Sequence, residues 1–253
     1  MPGLEKFQSA LITIALKVTE PRSEEEWKKF TEVVKNNILD LGGPTVFRSG
    51  LSQNELFLRK MTWGFFEITG SYERLLDIET YITKFPFRKS RVTKTRYLRF
   101  IFEAYLQEIY ILRERLISFL TIIARSFRKT SRNEHVNKVS TMLSKMVIKS
   151  FDKIIAIRGF HVHSYRYSEK DFDILNSLEV MTNLEPDVDT KLTGLLKSYY
   201  EISHRTVRKK SHQRIKENNA VVRKILDAFF ESLFMVLFDR DGNVIFPNKT
   251  IKA

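Results

Sequence analysis

The sequence predicts an all-α fold, and two observations carry that expectation. Apolar residues recur at helical spacing along most of the chain, and the residues that punctuate helices are scarce: nine glycines and six prolines in 253 residues. Between Phe87 and Glu185 there is no proline and a single glycine, Gly159.

The elements follow in order. Phe7, Ala10, Leu11, Ile14, Ala15 and Val18 share one helical face, and that helix stops before Pro21. Ser23 caps the next, Glu24–Leu41, which has three glutamates in its first turn and Gly42-Gly43 beyond its end. Asn54–Phe66 and Ser71–Phe85 read as two further helices, the second closed by Pro86. A long element follows over Thr93–Arg128, with one stripe running from Leu98 through Tyr105, Leu112 and Phe119 to Ile123. Another is predicted from Asn133 to Ile157, and a third from Ser168, acidic in its first turn, to a stop before Pro186. The last begins at Asp189 and resumes its apolar face over Val221–Phe238. Between its two apolar parts, Arg205–Asn219 has only Val207 and Ile215 as larger apolar residues, so it is expected to project past the core as a basic, solvated helix or loop. Asp241-Gly242-Asn243 reads as a turn leading into a short strand at Val244–Phe246. The resulting organisation is a near-neutral helical unit over residues 1–90, a domain of about four long helices over 91–240, and a short tail over 241–253.

Composition excludes several classes. Apolar residues make up 43%, with 20 Phe and 9 Tyr, which is not the composition of a disordered chain. The absence of cysteine removes disulfides, thiolate metal sites and a Cys nucleophile. The longest apolar run, Leu116–Ala124, is broken by Ser118 and Thr121 and falls well short of the ~20 residues a bilayer span needs. Met1–Gln8 lacks a signal-peptide pattern, so a soluble, cytoplasmic protein with no membrane association is expected. The net charge of +13 is uneven: residues 1–90 carry 13 basic and 12 acidic side chains, residues 91–253 carry 30 and 18. A field concentrated in this way favours a polyanionic partner through counterion release.

Gly-rich phosphate loops, G-x-S-x-G and H-E-x-x-H are all absent. The segment that carries chemistry is Ile157–Tyr167, IRGFHVHSYRY, with two of the five histidines, two arginines and two tyrosines. These residue types suit phosphodiester cleavage. A neutral imidazole accepts a proton from a ribose 2′-hydroxyl near neutral pH. A guanidinium stabilises charge on a pentavalent phosphorus without a metal, and a tyrosine hydroxyl orients. Arg158 and His163 are five residues apart, about 140° around an unbroken helix. They converge on one substrate only where the backbone leaves the helix, and Gly159 offers that place.

Arg158-Gly-Phe-His-Val-His163, extended by Tyr165 to R-x4-H-x-Y, resembles the motif of the HEPN superfamily, all-α domains whose ribonuclease members carry R-x4–6-H after the second long helix. The form with tyrosine is similar to that of the HEPN toxin in HEPN/MNT toxin–antitoxin pairs. The resemblance covers about residues 93–238 and leaves residues 1–90 outside it. It implies a homodimer with two motifs facing across a cleft and metal-independent endoribonuclease activity without a cofactor, in defence, toxin–antitoxin or RNA processing. By the same resemblance Arg158, His163 and Tyr165 are catalytic, and His161 and Glu103 are candidate assisting groups. Gly159 stands where the family often has Asn, so one polar contact is missing.

The competing reading of the motif is a polar inter-helix loop. His161 and His163 also form an H-x-H pair, but no third metal ligand lies nearby in sequence, so no metal is assigned. Arg166, Arg205, Arg208, Lys209, Lys210, Arg214 and Lys216 are candidate RNA contacts, with a solvated helix face as the alternative. His204 and His212 read as surface residues, and Trp27 and Trp63 as packing residues. Glu103, Glu108 and Glu114 are expected to pair along their own helix with Arg99, Arg113 or Arg115. Two other function classes stay open: a non-catalytic helical module that binds RNA or an acidic protein, and an interaction domain whose partner is an antitoxin or a nucleotidyltransferase modifying Tyr165.

Overall fold

The computed structural model describes residues 2–19, 23–39, 52–84, 92–163, 170–182 and 190–247. Among them the fold is all-α, with seven helices: α1 (Gly3–Thr19), α2 (Glu24–Leu39), α3 (Gln53–Tyr81), α4 (Lys94–Phe127), α5 (Asn133–His163), α6 (Lys170–Thr182) and α7 (Thr190–Leu237).

Local sequence explains the helix starts. The Ser23 hydroxyl accepts the Glu26 amide at 3.2 Å, as an N-cap does. Ser52 and Glu55 form a reciprocal capping box at α3, with bonds of 2.8 and 3.2 Å. At α4, the Thr93 hydroxyl accepts the Arg96 amide at 3.3 Å.

Four boundaries differ from the sequence expectation. One continuous helix, α3, replaces the two expected on either side of Gly70; the buried Ser71 beyond it accepts a hydrogen bond from Arg115, so the helix is anchored where the sequence suggests a break. Helix α5 passes Ile157 and Gly159 and reaches His163. Helix α7 is unbroken for 48 residues, so Arg205–Asn219 does not project past the core: Val207, Ser211, Ile215 and Asn219 form a buried stripe at four-residue spacing. In place of a terminal strand there is an isolated antiparallel bridge, Phe238 to Val244, closed by a turn in which Gly242 has φ 80°.

The chain forms two compact units. The first comprises Met1–Phe66, Ser118–Leu143 and Leu226–Ala253; the second comprises Glu67–Ile117 and Ser144–Ile225. They are interleaved in sequence, and residues 1–90 contribute to both.

The core of the first unit is aromatic. The Phe7 ring lies 4.9 Å from Phe230, 5.4 Å from Phe238 and 5.7 Å from Phe65. The N-terminus of α1 is held on α7, where the Leu4 amide donates to Asp227 at 3.2 Å and Lys6 pairs with Glu231 at 3.5 Å. A Cβ at Gly3 would overlap the Asp227 carbonyl oxygen, so only glycine permits this approach. The two tryptophans are not core: Trp27 is 47% and Trp63 69% exposed, which corrects their reading as packing residues.

The second unit packs α4, α6 and α7 through Phe102, Tyr105, Phe172, Val207 and Ile215, all buried. Tyr105 donates to the side-chain oxygen of Asn219 at 3.2 Å, and the Asn219 amide donates to the Leu75 carbonyl and to Glu79. Every bond that this buried amide makes crosses to another helix, fixing the register of α7.

Candidate functional site

Arg158, Gly159, His161 and His163 all belong to the last part of α5. Because the helix continues through them, Arg158 and His161 occupy positions one turn apart on one face, whereas Arg158 and His163 stand about 140° apart. Gly159 therefore does not supply the break that would bring residues 158 and 163 together. The side chains of residues 153–163, and the whole of Tyr165 and Arg166, lie outside the described residues.

The candidate RNA contacts on α7 divide by what they touch. Lys210 pairs with Asp171 at 2.6 Å, and the Arg214 guanidinium lies 5.7 Å from the centre of the Phe102 ring. Arg205, Arg208, Lys209 and Lys216 make no hydrogen bond or ion pair among the described residues. Arg205, Lys209, His212 and Lys216 follow one another at spacings of four, three and four residues, which makes a basic ridge along one face of α7.

Glu103 is half-buried and makes no ion pair among the described residues. Of the expected pairing along α4, Glu108 meets Arg115 at 4.0 Å, and links to other helices are added to it. Arg99 reaches Asp173 at 3.6 Å, Arg115 reaches Glu67, and Glu108 is met at 3.1 Å by Arg74. Glu114 does pair on its own helix, with Arg113 at 2.7 Å, though as its immediate neighbour.

A second polar cluster was not anticipated from the sequence. Glu179 of α6, buried, accepts from Tyr200 at 2.7 Å and from Thr93 at 2.8 Å, while Thr95 lies 3.1 Å from the Tyr200 hydroxyl. Burial pushes the Tyr200 hydroxyl well above its ordinary range. One turn on, His204 is 5% exposed, which corrects its reading as a surface residue. Burial holds the His204 imidazole below its ordinary value of 6.5, and the Arg208 and Lys94 charges push the same way against Glu201. Glu201 is in turn lowered, first by its hydrogen bond from Lys94 at 2.7 Å. The signal for this cluster lay in the i,i+4 pair Tyr200/His204, in phase with Val207 and Ser211.

Among the described residues no group of three or more His, Asp or Glu could hold a metal ion. None of the described helices is long and apolar enough to cross a membrane. No family model, no curated protein and no solved structure matches the chain.

Proposed function

We propose that the chain is a metal-independent endoribonuclease of HEPN type, working as a homodimer in defence, toxin–antitoxin or RNA-processing settings. The observation that carries this reading is the sequence motif R-x4-H-x-Y, whose Arg158 and His163 belong to the last part of α5, in an all-α chain whose α5 and α7 are both long helices. Support also comes from the α7 ridge, where Arg205, Lys209 and Lys216 make no ion pair among the described residues and are suited to an RNA backbone.

In this mechanism the ribose 2′-oxygen attacks the adjacent phosphorus as His163 takes up its proton. The bond from phosphorus to the 5′-oxygen breaks, and the leaving oxygen is protonated by a second acid. Arg158 stabilises the charge of the pentavalent centre and Tyr165 orients the phosphate. The products end in a 2′,3′-cyclic phosphate and a 5′-hydroxyl. With Arg158 and His163 on different faces of one helix, the two groups acting on a given phosphate come from different copies of the chain.

Incubation of RNA with the wild type and with His163→Ala in EDTA tests the reading. Cleavage by the wild type that the variant loses, leaving cyclic phosphate ends, is the expected result. Products with a plain 3′-hydroxyl, or no cleavage by either protein, would refute it. A second reading, a non-catalytic RNA-binding module, is favoured by the ridge alone. It requires RNA retention that weakens steeply with salt and shows no turnover.

A further inference from the structure

The N-terminal part of α7 carries a second apolar stripe, separate from the one it buries. Leu192, Leu195, Tyr199 and Ile202 are 46, 54, 55 and 61% exposed. Their spacing of three, four and three residues is the a/d pattern of a coiled-coil seam. The inward stripe of α7 runs through Tyr200, His204, Val207 and Ser211, all buried. Among the described residues the seam therefore faces away from the stripe that α7 buries in the second unit. Isolated exposed leucines are ordinary, but four large apolar side chains in heptad register are the signature of a helix-docking face.

Charge beside the seam identifies its occupant. With Leu192 at an a position, the flanking g positions are Lys191, Ser198 and Arg205, and the e positions are Leu196, Ser203 and Lys210. None is acidic. A second copy would fit badly in either orientation. Paired antiparallel, Lys191 of one copy faces Arg205 of the other; paired parallel, Arg205 meets Lys210, which already pairs with Asp171 and offers no opposite charge. Area argues the same way. The four side chains leave on the order of 400 Å² accessible, about half of what each partner buries in a standard protein pair and of the scale of one docked helix.

We propose that this seam binds an amphipathic helix of a partner protein, with aliphatic residues at its own a and d positions and Asp or Glu at the flanking ones. Apolar contact supplies the affinity, and the acidic flanks supply the choice of partner through Lys191 and Arg205. The inference does not depend on nuclease activity.

Two labelled synthetic peptides of about three heptads test it against the intact chain: leucine at a and d in both, with glutamate at e and g in one and lysine in the other. By fluorescence anisotropy, the glutamate peptide is expected to bind at least about tenfold more tightly than the lysine peptide, and to weaken as salt rises. Leu195→Asp and Ile202→Asp, both at exposed positions, should each abolish that binding while the helical circular dichroism is unchanged. Arg205→Glu should remove the preference between the two peptides. Equal binding of the two peptides, no binding of either, or binding that survives Leu195→Asp and Ile202→Asp would overturn the proposal. So would a wild-type dimer that Leu195→Asp converts to a monomer, since a second copy would then fill the seam.

Discussion

Tyr200 donates a 2.7 Å hydrogen bond to Glu179, tying α7 to α6 through a buried carboxyl group. The same carboxyl accepts from Thr93, the N-cap residue of α4, so one side chain joins three helices. Tyr200→Phe keeps the ring and removes the donor. It is expected to destabilise the chain by about 1–3 kcal/mol in urea unfolding, because Glu179 and Thr95 are both left short of a partner. Tyr199→Phe, at an exposed neighbour, should change stability by less than about 0.5 kcal/mol.

His204 makes stability depend on pH in a defined window. Its folded-state value is lowered from 6.5, so above that pH the imidazole is neutral both folded and unfolded. As pH falls through 6.5 the unfolded chain takes up a proton that the folded chain resists, and stability drops until the lowered folded value is passed. The groups acting on it are Glu201 and Arg208 on α7 and Lys94 on α4. Glu201, also lowered in the folded state, contributes stability that is lost only as pH falls below its ordinary value of 4.5, a separate range. Urea midpoints between about pH 8 and pH 5.5 should therefore fall more steeply for the wild type than for His204→Gln. Parallel curves for the two would contradict this account.

Two glycines of α3 should respond to alanine in opposite ways. A Cβ at Gly64 would come 2.5 Å from the Phe119 ring, whereas one at Gly70 meets nothing within 4 Å. Gly64→Ala is expected to cost about 1–3 kcal/mol through overpacking. Gly70→Ala should stabilise by up to about 1 kcal/mol through helix propensity. Thermal unfolding of both variants reads out the contrast directly.

If α7 carries RNA, its cations should contribute unequally. Arg205→Ala and Lys209→Ala should each flatten the salt dependence of RNA affinity by about one unit of the logarithmic slope. Lys210→Ala should flatten it by less than half as much, because its ammonium already pairs with Asp171 at 2.6 Å. Equal effects at all three positions would argue that Asp171 does not compete with phosphate.

Periodicity was enough to read α4 and α6 and the start of α5, because each carries an apolar stripe long enough to outvote local composition. It failed in the middle of α7, where the buried face is Val207, Ser211, Ile215 and Asn219: two of these four are polar, and the amide of Asn219 is satisfied by residues more than a hundred positions away. It failed at Gly70 for a related reason, since the helix is secured there by Arg115 from another element. Trp27 and Trp63 show the opposite error, hydropathy implying burial at positions left open. For the motif, residue types and spacing were legible but backbone path was not. A glycine after Arg158 reads as a helix stop, yet α5 continues to His163, and this moves His161 onto the face of Arg158.

The interleaving of the two compact units has a consequence for biosynthesis. The second unit waits for the stretch up to Ile225, and the first waits for Leu226 onward, even though α1 is made before either stretch. Neither can close on a ribosome as an autonomous early module, and the aromatic face of Phe7 stays without Phe230 and Phe238 until the end of α7 and the turn beyond it have emerged. From the synthesis of α1 until that point the nascent chain thus carries an apolar helix in search of a late partner, the kind of intermediate that holding chaperones shield.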